Sequence, residues 1–195
     1  MDTLFKKKRN QQSKASYESA SMTRRFLAYI IDWYLGALCT ALPIAIISQQ
    51  LTHTTLNQDI RQIEAPYGII AGILAMLFAM FYFIIIPTYI YSGQTIGKKI
   101  CRIKMIKTND EPVTLKNMLL RQLLGIIIIE GVLYSASTIW REIVTIITKI
   151  DVTTSLMYVG FVISGISILL YLFKGEQRAL HDYLGSTKVV MQTIS

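Results

Sequence analysis

Four long apolar runs constrain this chain more than any other feature. They cover 26–48, 67–91, 118–140 and 156–173. Each is about 18–25 residues, the length that crosses a hydrocarbon core roughly 30 Å thick at about 1.5 Å per residue. A backbone inside lipid must satisfy its own hydrogen bonds, so each run is expected to be a helix. The expected fold is an all-α membrane protein, a four-helix transmembrane bundle. Composition agrees: 52% of the residues are hydrophobic and 16% charged, a balance uncommon in soluble domains. The first run starts well into the chain, is too long for a secretory h-region and lacks an Ala-x-Ala-like exit, so it reads as a retained span.

The basic residues give the orientation. Seven precede the first run (Lys6, Lys7, Lys8, Arg9, Lys14, Arg24, Arg25) and Arg61 alone follows it. The second loop holds Lys98, Lys99, Arg102, Lys104, Lys107 and Lys116, with Arg121 just beyond. Arg141 and Lys149 mark the third loop, and Lys174, Arg178 and Lys188 the C-terminal segment. By the positive-inside rule this alternation places both termini and the second loop in the cytoplasm of a multi-pass cell-membrane protein. The formal charge of +8 and the pI near 9.5 are therefore read as topology. A nucleic-acid partner is not expected, because the basic residues flank spans and lack interleaved stacking aromatics. Residues 1–20 read as a disordered basic cytoplasmic tail, able to touch anionic headgroups, and residues 21–195 as the membrane domain. Cys39 and Cys101 fall in different environments and are not expected to pair.

Outside the bilayer, "KKICRIKMIK" alternates charged and apolar residues, "TND" supplies a turn and "EPVTL" follows. This predicts a short cytoplasmic β-hairpin between helices two and three, to which "STKVVMQTI" can add a third strand; an in-plane amphipathic helix is the alternative. "NQDIRQIEAP" suggests a short surface helix ending before Pro66. Within the spans, Gly68, Gly72, Ala75 and Ala79 form a small-residue seam suited to close packing. Gly160, Ser164, Ser167 and Tyr171 make a similar stripe, and Pro87 is expected to kink the second helix. Trp33, Tyr34, Tyr89, Tyr91, Trp140 and Tyr158 read as interfacial anchors.

Two acids interrupt the apolar runs. Asp32 shares a helix face with Arg25, Tyr29 and Gly36. At that depth a carboxylate must be neutralised, hydrated or paired. Either it pairs with a basic group of the cytoplasmic cap, or it binds a cation or proton in a wet cavity, with Tyr29 as donor. Glu130, in "GIIIIEGVL", is expected near mid-bilayer with Tyr134, Ser137 and Arg141 on its face, protonated or paired with another helix. Asp32 is the better node of an inner charge network, and Glu130 the better centre of an ion or proton site. "SGQTIGKK" fails as a phosphate loop, since three residues separate Gly93 from Gly97 and Lys99 follows Lys98; it reads as a tight turn with lysines at the headgroups. "LHDY" offers one His–Asp pair, too few ligands for a metal. No nucleophile–base set stands out, so neither an enzyme nor a cofactor is expected.

Taken together, "RRFLAYIID", "SGQTIGKKICRIKMI", Arg121 and "ALHDYLGSTKVV", in this order, resemble the RDD family of bacterial integral membrane proteins, named for an arginine and two aspartates. The resemblance carries those residues to Arg25, Asp32 and Asp182, and a GxTxGK element to Gly93, Thr95, Gly97 and Lys98. It implies that Arg25, Asp32, Lys98, Arg121 and Asp182 cluster at one interface. Some members of the family are assigned cation/proton antiport, so one expectation is a transporter of a monovalent cation or small solute, using buried acids in a homodimer. The other is a non-transporting scaffold, assembly factor or regulator acting through the cytoplasmic loop and basic tail.

Overall fold

The structure, a computed structural model, describes residues 17–53, 58–132 and 134–192. Helices dominate it. Three are long and apolar enough to cross a membrane, and a bent pair raises the number to four if that pair forms one span.

Helix α1 (Met22–Thr52) buries Ala28, Asp32, Gly36, Thr40, Ile44 and Ser48. Residues four apart form a single ridge along a helix, the geometry with which one helix packs into another's groove. The helix runs through Pro43 and ends at His53 in the left-handed region. After it comes a 3₁₀ turn, Ile60–Gln62, started by the Asp59 side chain. Ile60 and Ile63 point inward, so the expected surface helix is instead a plug at this end of the bundle.

Helix α2 (Tyr67–Met80) buries its seam of Gly68, Ala71, Gly72, Ala75 and Ala79. A Cβ on Gly72 would lie 2.7 Å from Ile60 Cδ1 and 3.0 Å from Ile143 Cγ1, which identifies what the seam packs against. From Phe81 the helix widens to π geometry and continues through Pro87 to Ile90. Pro87 therefore does not break the span; Tyr67–Ile90 is one run. Helix α3 (Ile96–Ile100) and strand β1 (Ile103–Lys107) follow.

The third apolar run departs most from expectation. Helix α4 (Leu115–Met118) continues as a π-helix over Leu119–Glu130. The helix then stops at Gly131, and α5 (Ser135–Thr148) leaves at an angle of 66°. Gly131 is weak in a helix, and side chains replace the lost backbone partners. Trp140 Nε1 donates to the Ile127 carbonyl at 2.9 Å, Arg141 Nη2 to Gly131 at 2.8 Å and Ser164 Oγ to Glu130 at 2.5 Å. Backbone irregularity at membrane depth needs such partners. Trp140, half-buried, thus packs against the core beside the break.

Helix α6 (Thr153–Phe173) turns its Gly160, Ser164, Ser167 and Tyr171 stripe toward the third span and the cap. Helix α7 (Leu180–Leu184) and strand β2 (Thr187–Met191) complete the described chain. Strand β2 pairs antiparallel with β1, Ile103 opposite Met191 and Lys107 opposite Thr187. "EPVTL" forms no second hairpin strand: Pro112, without an N–H, makes a single bridge to Ile106, and Thr114 already begins α4 through a capping box with Asn117. The expected disordered tail lies outside the described residues except for 17–20, which run along the other edge of β2. The Ala20 amide donates to the Val189 carbonyl at 3.2 Å, and Met191 N donates to Glu18 O at 2.9 Å. The cap's apolar face, Ile103, Met105 and Val189, closes on Ala28, Ile84 and Met118.

Candidate functional site

Asp32 is 1% exposed, a burial that a carboxylate tolerates only with donors on its oxygens. Four arrive. The Tyr82 hydroxyl, on the π-helical part of the second span, donates to Oδ1 at 2.7 Å. The Gly97 amide donates to Oδ1 at 2.9 Å, the Thr95 hydroxyl to Oδ2 at 2.5 Å and the Lys98 ammonium to Oδ2 at 3.1 Å.

This accounts for "SGQTIGKK" residue by residue. Gly93 has φ +93°, and a Cβ there would sit 2.2 Å from the Met105 carbonyl oxygen, so only glycine fits this turn. Gln94 Nε2 donates to the Ile103 carbonyl at 2.8 Å, tying the turn to β1. Thr95 caps α3. A Cβ on Gly97 would meet Ala28 O at 2.5 Å and Asp32 Oδ1 at 2.7 Å, so the missing side chain is what lets the helix start close over α1. The element is no phosphate loop, yet it does grip an anion, the chain's own Asp32, with a helix-start amide, a hydroxyl and a lysine. Lys98 turns inward instead of toward headgroups, while Lys99 lies over the Tyr91 ring at 3.8 Å.

The second cluster centres on Asp182 of α7. Arg121, buried in the third span, ion-pairs with its Oδ1, and Arg121 Nη1 also donates to Thr187 Oγ1 at 2.8 Å. Asp182 Oδ2 accepts from the Ala179 amide at 3.1 Å and lies 3.9 Å from Arg25 Nη1. Burial pushes the Asp182 carboxyl up, but the charges of Arg121, His181 and Arg25 outweigh it and hold the group at about 2. Arg25 spends its other donors on carbonyls of Ala20, Gln177 and Val189, so it ties α1 to the sheet and to the segment before α7.

The third cluster corrects the placement of Glu130. It is paired with another helix, one of the two expected alternatives, and it does not share a face with Tyr134, Ser137 and Arg141, because the helix breaks directly after it. Glu130 Oε2 lies 2.8 Å from His181 Nδ1, and Oε1 accepts from the His181 amide at 2.7 Å and Ser167 Oγ at 3.0 Å. Adjacent residues of α7 therefore clamp two points of the third span: His181 holds Glu130 and Asp182 holds Arg121.

The named residues thus form separate but neighbouring groups. Asp32, Thr95, Gly97 and Lys98 make one; Arg25, Arg121 and Asp182 make another. Tyr29 joins neither, its ring standing edge-on to Tyr134 at 5.4 Å, and the phenol on Asp32 is Tyr82. Tyr82 lies in an unbroken apolar run and gave no sequence signal. His181 stood in plain view in "LHDY" but pairs with a glutamate. Among the described residues no group of His, Cys, Asp or Glu is placed to hold a metal. A cleft of about 340 Å³ lies at the uncapped end beside Arg61, Glu64 and Ile146. Another, of about 370 Å³, flanks α6 between Ile166 and Lys174. Neither is lined by Asp32, Glu130 or Asp182. In comparison with known proteins, the model of the RDD family matches residues 19–186. No curated protein and no solved structure matches the chain.

Proposed function

The chain belongs to the RDD family, and on that premise we propose a multi-pass cell-membrane protein, both termini cytoplasmic, that exchanges a monovalent cation for protons at Asp32. The sheet supports the topology. Residues 17–20, β1 and β2 meet in one cap, so the chain between β1 and β2 crosses an even number of times. With helix α6 as one crossing, this reading takes the bent pair around Gly131 as the other, which its length and apolarity allow. Four spans result, with the Lys- and Arg-rich cap on the cytoplasmic side.

The observation that carries the exchange is the Lys98 ammonium on Asp32. It lies 3.1 Å from Oδ2 and 3.4 Å from Thr95 Oγ1, a position where Na⁺ or Li⁺ would find carboxylate and hydroxyl oxygens. The Lys98 side chain is 15% exposed against 1% for Asp32, so the site is approached by displacing the lysine. A bound cation replaces the ammonium without changing the charge beside the carboxylate, and protonation of Asp32 releases either. Glu130, held by His181 and Ser167, is the second buried acid of this reading. Four helices leave little room for alternating access, so the reading includes a homodimer; α6, with 11% of its apolar window buried, offers the least covered face.

A second reading, a scaffold, assembly factor or regulator working through the loop and basic tail, is favoured by a different observation. Both oxygens of Asp32 and of Asp182 already have protein donors, as a lock would. Liposomes containing the purified protein and an internal pH dye separate the two. Exchange predicts a pH change on adding Na⁺, Li⁺ or K⁺ that Asp32→Asn abolishes, and Lys98→Gln, which removes the competitor, lowers the half-saturating cation concentration. No cation-evoked pH change with the unmodified protein sinks the exchange. The scaffold predicts instead a stoichiometric partner crosslinked in native membranes.

A further inference from the structure

The basic residues at the capped end fall into two groups. Arg25, Lys98, Arg121 and Arg178 each have a carboxylate partner within the chain. Among the described residues Arg24, Lys99 and Arg102 have none, and these three gather round one turn. The Arg102 amide donates to the Lys99 carbonyl at 3.1 Å, with Arg102 at φ +55°, so Lys99 and Arg102 stand at the two ends of a turn that exposes both. Arg24, in the first turn of α1, reaches across to it: Nη1 donates to the Cys101 carbonyl at 3.0 Å, which leaves the rest of the guanidinium fork free of any acidic side chain. Between the cations Ile100 is 63% exposed. The depth of this turn follows from its neighbours. The first span begins beside Arg24 and the second ends at Ile90, and the Lys99 ammonium lies 3.8 Å from the centroid of the Tyr91 ring. The turn therefore sits where the spans leave the bilayer. An isoleucine bare between bare cations is out of place in water, but it suits an interface, where the apolar side chain enters the acyl region and the charges stay among phosphates.

We propose that the turn 99–102, together with Arg24, binds one phospholipid of net negative charge, its phosphate held by Arg24, Lys99 and Arg102 and an acyl chain lying against Ile100. Guanidinium groups match phosphate oxygens with paired N–H donors, and the Arg24 fork is already oriented by its bond to Cys101. Three positive charges without internal partners exceed the single charge of a phosphodiester. They attract a headgroup with no cation of its own and repel the ammonium of a zwitterionic one. The site is separate from Asp32. It rests on the spans lying in a bilayer, and on neither the orientation of the cap nor cation exchange.

Native mass spectrometry of the full chain in detergent, titrated with phosphatidylglycerol or phosphatidylcholine, counts bound lipids and tests the site. The first phosphatidylglycerol is expected to bind more tightly than the first phosphatidylcholine. Lys99→Gln and Arg102→Gln each raise its dissociation constant about fivefold, the share of one cation near a headgroup, and Ile100→Ser weakens it as well. All three side chains are at the surface, so the variants keep the fold. Lys174→Gln, which removes an exposed cation at the end of α6, leaves the constant unchanged. Equal affinity for the two lipids overturns the proposal, and so does a loss with Lys174→Gln as large as with Lys99→Gln, which would mean diffuse attraction to the whole basic face. Displacement of the lipid by an equal concentration of glycerol phosphate would also overturn it, since a soluble phosphate would then be the ligand.

Discussion

A carboxylate buried at a membrane interface is worth as much to the fold as the donors around it, and Asp32 and Asp182 draw theirs from different sources. Asp182 relies on full charges. Its carboxyl is held at about 2 against roughly 3.9 in an unfolded chain, so the unfolded state takes up the proton first. Its contribution, about 2–3 kcal/mol, is present above about pH 4 and drains away as pH falls toward 2. Thermal unfolding in detergent across that window should show the loss, and Arg121→Asn should flatten it. At neutral pH that substitution leaves Asp182 buried beside a neutral group, at a cost of about 3–5 kcal/mol. Asp32 depends on close approach. Gly97→Ala should destabilise by about 1–3 kcal/mol, since its Cβ would meet both Ala28 O and Asp32 Oδ1; the same unfolding assay reads it. The acids and the GxTxGK residues were visible in the sequence because charge and glycine stand out against an apolar ground. Tyr82 was not, because nothing local distinguishes a phenol that meets a carboxylate fifty residues away from a packed one.

Among the elements, what could be read in advance divides by the range of the interaction that decides it. Three of the four apolar runs became the expected helices, because length and hydropathy alone determine them. The third did not: whether a glycine after Glu130 interrupts a helix depends on distant side chains that satisfy the freed carbonyls. Ser164→Ala should strand the Glu130 carbonyl and cost about 1–3 kcal/mol, measurable in chemical unfolding of the detergent-solubilised chain. A continuous third helix would predict no such loss. The β-hairpin failed for a related reason. Alternation found β1 correctly, but the neighbouring segment holds Pro112 and a helix start at Thr114, so the partner is the C-terminal strand, beyond the third and fourth apolar runs.

For the whole molecule, labelling can check the proposed topology. In a background with Cys39 and Cys101 replaced by serine, Gln62→Cys should react with a membrane-impermeant maleimide added to intact cells. Glu176→Cys should react only after permeabilisation. The reverse pattern would invert the protein. The same sheet sets an order of events during synthesis. Strand β1 leaves the ribosome after two spans and cannot pair until β2 follows the last one, a delay on the order of ten seconds at roughly 5–20 residues per second. Until then the apolar side of β1, Ile103 and Met105, rests on Ala28 and Ile84 but lacks Met118 and Val189, and its strand edge stays open. The closing strand is therefore a quality mark that only a fully inserted chain can display, and a chain stalled before it offers chaperones and proteases an exposed edge.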